Sequence, residues 1–361
     1  MSEMTTQVHF SQLNEKMGEP NLSTYQAALS YWDQIAKPLH GLGVFEKVIS
    51  KIAALQNSLH VSIDKRALLV LCADNGVVKM NVTQTDQSVT ATMADAIYHH
   101  TSCACQMAAT ANIDVFPIDM GMVTRVPGVS DRHIANGTNN IATTAAMTRE
   151  QALLAIKTGM ELVKQYKEAG YQLLATGEMG IGNTTTSSAI ASVLLDLPVE
   201  QVTGRGAGLS DEGLMRKIQV IQQAIALHQP DVTDPVDVLS KLGGFDIAGM
   251  CGIFLGGALY QIPIIIDGLI SSVAALIAKR LCTNATNAMI ASHCSKEPAA
   301  VSILNELGLT PVVYGELKLG EGTGALMMIP LLDMALGVFH HSATFSNNHI
   351  TQYEDFGGTS V

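Results

Sequence analysis

Residues able to act on an anionic substrate fall in a few glycine-rich stretches of this chain. Positions 175–186 read Ala-Thr-Gly-Glu-Met-Gly-Ile-Gly-Asn-Thr-Thr-Thr, between a short apolar run at 171–175 and a helix-like run at 187–195. Gly180 and Gly182 therefore fall where a strand turns into a helix, with Asn183 and Thr184 at its first turn. Glycines let the main chain approach an anion closely, and a helix N-terminus offers unpaired N–H groups. The pattern fits a phosphate cradle and also a tight turn with a threonine N-cap. It is not the dinucleotide fingerprint, because Thr185 stands where the third glycine belongs and Glu178 sits just ahead of the loop.

Positions 317–324, Leu-Lys-Leu-Gly-Glu-Gly-Thr-Gly, place Glu321 between two glycines before an apolar helix expected over 325–338. A carboxylate with small neighbours on a specially shaped backbone suits a general base in contact with substrate; an acid favoured by the helix dipole is the structural alternative. A second glycine-rich turn at 202–208 contains Gly204, and the helix after it, capped by Ser210 with Leu214, Ile218, Ile221 and Ile225 inward, carries Lys217. That lysine reads either as a phosphate ligand or as a solvated helix cation. His293 and Cys294 adjoin at a strand end, but neighbouring strand residues point to opposite faces, so a local turn fits better than an activated thiol.

The intervening sequence alternates strand and helix. Expected strands at 65–73, 113–118, 171–175, 263–267 and 288–292 end in Asp74-Asn75-Gly76, Asp119-Met120-Gly121, the first glycine stretch, Asp267-Gly268 and His293 to Glu297. Helices are expected at 23–36, 44–55 and 89–111, and Thr148 with Gln151 forms a capping box for another. A long Gly/Asn/Thr loop covers 125–145. Polar residues collected at strand C-termini predict an α/β, Rossmann-like, mostly parallel sheet flanked by helices, with the site at its carboxyl edge. The expected organisation is a helical part of a small domain at 1–64, the α/β domain at 65–340, and a C-terminal arm at 341–361, so that the smaller helical part comes from the chain ends.

Composition narrows the partners. The chain has 361 residues, 47% of them hydrophobic, with a net charge of −11, which argues against nucleic acid or an anionic membrane surface as partner. The most apolar stretch, 247–266, is interrupted by glycines and Pro263 and reads as a buried helix and strand; no membrane span is expected. No secretory signal is evident at the N-terminus, so a cytoplasmic location is expected. Six cysteines lack paired metal-ligand spacing and read as reduced thiols; His99, His100, Cys103 and Cys105 read as packing rather than a metal site. No metal or cofactor is expected.

The motif series, in order, is Ala73-Asp74-Asn75-Gly76-Val77, Gly177 to Thr185, Leu239 to Asp246, Asp267-Gly268, Ser292-His293 and Leu319 to Gly324. It resembles that of the nicotinate-nucleotide:dimethylbenzimidazole phosphoribosyltransferase family from about residue 20 to 345. The resemblance implies transfer of 5-phosphoribose from nicotinate mononucleotide to the lower-ligand base of a cobamide, without a cofactor, in a homodimer. It makes Glu321 the catalytic base with Glu178 near the ribose or base, and it gives the ribose phosphate to Gly180, Gly182, Asn183, Thr184, Gly204, Lys217 and Ser295. The acceptor pocket would be lined by Asp74, Thr85, Thr92 and Met93. Met93 stands where the family commonly has a glutamine, which removes a partner for a ring nitrogen and admits phenol or p-cresol as rival acceptors, in a heterodimer with a paralogous subunit. A silent nucleotide-binding subunit is a further alternative, opposed by the retention of Glu321.

Overall fold

The computed structural model describes residues 9–355, so the expected outer segments extend past it at both ends. Three helices come first: α1 (Phe10–Met17), α2 (Leu22–Gln34) and α3 (Val44–Gln56). Then follow β1 (Arg66–Ala73), α4 (Ser88–Tyr98), α5 (Cys103–Ala111), β2 (Asp114–Gly121), β3 (Ser130–Asp131), α6 (Arg149–Glu168), β4 (Leu173–Met179) and α7 (Asn183–Leu195). The second half adds α8 (Val199–Val202), α9 (Asp211–His228), α10 (Pro235–Leu242), α11 (Phe245–Leu259), β5 (Ile264–Ile266), α12 (Leu269–Leu281), β6 (Met289–Ala291), α13 (Ala300–Leu307) and α14 (Thr323–His341).

The strands form one parallel sheet in the order β3-β2-β1-β4-β5-β6. Every residue of β1 is buried, as a strand covered on both faces must be. Its side chains alternate between two cores: Ala67, Leu69 and Leu71 join one cluster with α6, α7, α9, α11 and α12, while Leu68, Val70 and Cys72 join the other with α2, α3, α5 and α14. Chain order reverses between β1 and β4, so their carboxyl ends open the crevice in which doubly wound sheets bind ligands.

The glycines of the apolar stretch 247–266 serve helix packing. A Cβ on Gly252 would lie 1.9 Å from the Ile156 carbonyl, and one on Gly159 2.0 Å from the Gly249 carbonyl, so α11 and α6 meet backbone to backbone. Among the described residues α14 is the one helix long and apolar enough to cross a bilayer. Its Leu326, Ile329, Leu332 and Phe339 are buried in the second core, with Phe339 against Trp32 of α2 at 4.8 Å between ring centroids. After α14 the chain returns to α2, where Ala36 N–H donates to the Ala343 carbonyl and Phe345 N–H to the Gln34 carbonyl.

Several expected boundaries move, for local reasons. The helix expected over 89–111 is two helices: His100 takes a left-handed φ of 57° and Ser102 caps α5 by accepting from Cys105 N–H. Asn21, not Ser23, caps α2, accepting from Thr24 N–H. β4 runs to Met179 rather than stopping at 175, because Thr176, Gly177 and Glu178 continue the ladder with β1. Ser210 and the Thr148/Gln151 capping box stand as the sequence implies. Cys103 is exposed, while Cys105 is buried with its thiol on the Ile97 carbonyl.

Candidate active site

A cleft lies at the carboxyl edge of β4, β5 and β6. Its walls come from the turn after β4 (Glu178 to Thr184), the glycine turn before α9 (Arg205 to Leu209), Asp267 to Ser271, His293, Ser295 and Glu297, and 317–320 with Thr323. Three strand ends and two glycine turns, distant in sequence, thus share one opening.

Glu321 occupies the deepest structural constraint. Gly320, Glu321 and Gly322 all have left-handed φ, at 85°, 58° and 84°. Only the flanking glycines adopt this without penalty; for Glu321 it is a strained position that the surroundings must hold. Asp267 supplies that hold from the end of β5. Its Oδ2 accepts from Gly322 N–H at 3.1 Å, and its Oδ1 from Gly324 N–H at 2.7 Å and Ala325 N–H at 3.2 Å. The side chain therefore caps α14 from another element, a role with no signal in the local sequence. Behind the loop, a Cβ on Gly177 would lie 2.9 Å from the Glu321 carbonyl carbon, so β4 presses directly on the loop backbone. The buried Glu321 carboxylate faces the start of α5, with Oε2 3.5 Å from Ala104 N. Burial raises its pKa, the Ala104 and Ser102 contacts oppose the rise, and the charge of Asp267 adds to it.

Glu178 is buried beside it and turns one oxygen towards Gly320, where a Cβ would sit 2.6 Å from Oε1. Its other oxygen accepts from the Asn183 amide at 2.5 Å. Burial, together with the nearby charges of Asp246, Asp267 and Glu321, pushes its pKa up to about 8, so the group is largely neutral at pH 7.

The phosphate side is built on Lys217. It is fully buried, against the expectation for a helix lysine, because the helical spacing of Gly213, Lys217, Val220, Ile221 and Ala224 turns it to the inner face of α9. Leu214, Ile218 and Ile225, expected inward, are only half-buried. The ammonium donates to Thr184 Oγ1 at 2.9 Å and to the Gly204 carbonyl at 3.1 Å, tying the two glycine turns together. Burial lowers its pKa to about 8, with Glu297 the opposing charge. Gly180 and Gly182 line the cleft, with Gly182 at a left-handed φ of 97° as the N-cap of α7. Ser295 Oγ accepts from Glu297 N–H at 3.3 Å and contacts the Leu317 carbonyl at 3.4 Å.

The four acceptor-pocket residues separate. Thr85 lines the rim, whereas Asp74 is buried behind the cleft, its Oδ2 accepting from Val123 N–H at 2.7 Å. Thr92 is exposed and its hydroxyl turns back to the Ser88 carbonyl at 3.1 Å; Met93 is half-buried on the same helix. The residue of α4 that reaches the site is Thr90, whose hydroxyl accepts from Ile181 N–H at 3.2 Å. Asp246, Asp267, Glu297 and Thr90 were not singled out as site residues from sequence, although Asp246 and Asp267 sit at element ends where such a search should look. His293 lines the cleft with Nδ1 3.1 Å from Ser292 Oγ, and burial lowers its pKa against the pull of Asp267. Burial raises the Cys294 thiol, so no thiolate is offered there.

The phosphoribosyltransferase family model DBI_PRT matches residues 17–350. The nicotinate-nucleotide–dimethylbenzimidazole phosphoribosyltransferase of Clostridium acetobutylicum is 42% identical over 324 residues, covering 89% of this chain and 92% of the relative. That of Ruminiclostridium cellulolyticum is 39% identical over 347 residues, covering 96% and 99%. The crystal structure of CobT from Thermus thermophilus superposes with a TM-score of 0.87 at 36% identity, covering 92% of this chain and 100% of that one. With a family match over nearly the whole chain and relatives near 40% identity that it spans almost end to end, the chain belongs to the nicotinate-nucleotide:dimethylbenzimidazole phosphoribosyltransferase family.

Proposed function

We propose that this enzyme moves 5-phosphoribose from nicotinate mononucleotide to dimethylbenzimidazole or a closely related aromatic base, releasing nicotinate and an α-riboside 5′-phosphate for assembly of a cobalamin-type nucleotide loop. The observation that carries the reading is Glu321, a buried carboxylate on a strained loop clamped by Asp267 and Gly177, between Gly320 and Thr323, which line the same cleft as the phosphate-type glycine turns.

The chemistry follows from the reactants. Nicotinate departs from a pyridinium as a neutral ring nitrogen and needs little acid assistance. The acceptor must lose a proton as its ring nitrogen bonds to the ribosyl carbon, and attack opposite the leaving group turns a β-linkage into α. Glu321, whose pKa burial raises towards the working range, takes that proton. Neutral Glu178 donates a hydrogen bond to the ribose. The charges of Glu321 and Asp267 favour the positive character that develops on the ribosyl carbon. Lys217 has three N–H donors and spends two on Thr184 and Gly204, which leaves one for the phosphate above the Gly180–Gly182 turn, with Ser295 opposite.

Two finer readings belong with this one. Exposed Met327 and Met334 on α14 support a second copy of the chain covering that face as a homodimer, which light scattering measures. Phenol and p-cresol are the rival acceptors, on the ground that Met93 offers no amide to a second ring nitrogen, although Met93 is half-buried on α4 and does not line the cleft. Purified enzyme with nicotinate mononucleotide and equal dimethylbenzimidazole, phenol and p-cresol, with products separated by mass, distinguishes these. The Glu321→Gln variant should keep nucleotide affinity and lose at least about 10²-fold in turnover. Unchanged turnover refutes the base assignment.

A further inference from the structure

Beneath Glu178 lies a second carboxylate that the transfer as described does not use. Asp246, the second residue of α11, is fully buried. Its Oδ2 accepts from the Asn183 amide at 2.9 Å, and the same nitrogen donates to Glu178 at 2.5 Å. A primary amide has two N–H bonds, so Asn183 is fully occupied in bridging two carboxyl groups. Asn183, which lines the cleft, thus spends its amide N–H groups on the inner wall.

The far side of Asp246 is unusual. Asp246 Oδ1 and Asn75 Oδ1 are both buried without a partner, and both crowd the α-carbon of Gly244, where a Cβ would lie 2.3 Å from the first and 2.6 Å from the second. Two buried acceptor oxygens crowding one point need a donor between them, which the Asn75 amide supplies when turned with its N–H towards Asp246. Asn75 sits at the end of β1 and Gly244 begins α11, so this explains why Gly-Gly-Phe-Asp and Asp-Asn-Gly, far apart in sequence, meet here.

Resting on the transferase reading above, we propose that Asp246 is a positioning residue: its carboxyl group anchors Asn75 and, through Asn183, fixes Glu178 with one oxygen free towards the cleft. Burial raises the Asp246 pKa to about 6, so the group is charged over the alkaline range in which Glu178 titrates. The groups facing Glu178 are Asp246 from α11, Asp267 from β5 and Glu321 from the loop before α14, while the Cys72 thiol of β1, raised by burial, stays neutral beneath them. Asp74 faces Asp246 from β1. Charge on Asp246 raises the Glu178 pKa, so its removal must lower it.

The test compares Asp246→Asn and Asp246→Ala in the full-length enzyme. Asparagine keeps both contacts and removes the charge: its carbonyl accepts from Asn183 and its amide donates to Asn75 Oδ1. Asp246→Ala should lower kcat about tenfold or more with the KM for nicotinate mononucleotide changed less than about threefold, and Asp246→Asn should recover much of that kcat. In Asp246→Asn the alkaline limbs of both the kcat profile and the pH dependence of nicotinate mononucleotide binding should move down by about half a unit or more. Wild-type kcat in Asp246→Ala, or both limbs unmoved in Asp246→Asn, overturns the proposal. Should the wild type make no riboside from any acceptor, the transferase reading fails, while the binding profile still decides whether Asp246 controls Glu178.

Discussion

Replacing Lys217 with methionine should make the protein more stable and its nucleotide binding worse. The lysine is fully buried and its pKa falls from 10.5 to about 8, a difference of about 2.5 units that at ~1.4 kcal/mol per unit corresponds to about 3 kcal/mol of destabilisation from holding a charged ammonium inside the apo fold. Methionine fills similar volume without charge but leaves Thr184 Oγ1 and the Gly204 carbonyl unpaired, which returns ~1–2 kcal/mol. The net expectation at pH 7 is a gain of about 1–2 kcal/mol, and a rise of a few degrees in Tm. The sign of the pH dependence is fixed by linkage. Between the folded pKa and 10.5 the unfolded chain binds more protons at this site than the folded one, so the wild type gains stability as pH rises from about 8 to about 10.5. The methionine variant does not share that gain, so its advantage should vanish about one pH unit above the folded pKa and reverse near the top of this range. Denaturant unfolding of both proteins at several pH values, without ligand, is the assay. Meanwhile the affinity for nicotinate mononucleotide should drop by about 10²-fold, from loss of a charge-assisted phosphate contact of ~2–3 kcal/mol. A variant less stable than wild type at pH 7, or a stability difference independent of pH, would refute the picture of a lysine held charged inside the fold for an anion.

Other perturbations separate the supports of Glu321. Gly177→Ala inserts a Cβ 2.9 Å from the Glu321 carbonyl carbon and 3.0 Å from Gly322 N, so the loop must shift by a few tenths of an ångström; turnover should fall about tenfold with a stability loss of ~1–3 kcal/mol, read from initial rates and unfolding. Asp267→Ala removes the acceptor of three backbone N–H groups at Gly322, Gly324 and Ala325. It should cost about 2 kcal/mol or more of stability and lower kcat more than nucleotide affinity, measured by melting and by separate binding and rate assays. Native turnover in either variant would show that Glu321 is positioned by other contacts.

Much of the architecture was written into the sequence. Buried parallel strands demand continuous apolar runs and crossover helices demand helical spacing, so the alternation, the capping box at Thr148 and the glycine turns at 180–182 were legible from local pattern. So was Glu321, because a charged residue between two glycines marks an unusual backbone. Local pattern failed where a turn lay within a run of good helix formers, as at 99–102, and where β4 carried polar residues into the sheet. The order of motifs fixed the family without fixing which side chains touch. The orientation of Thr90 rather than Thr92, the burial of Lys217, the capping of α14 by Asp267 and the bridge from Glu178 through Asn183 to Asp246 came only from the tertiary structure. The reason is that hydrogen-bond partners of buried polar groups are chosen by packing among distant segments, and the cost of leaving such groups unpaired, which selects those partners, exists only once the chain has closed around them.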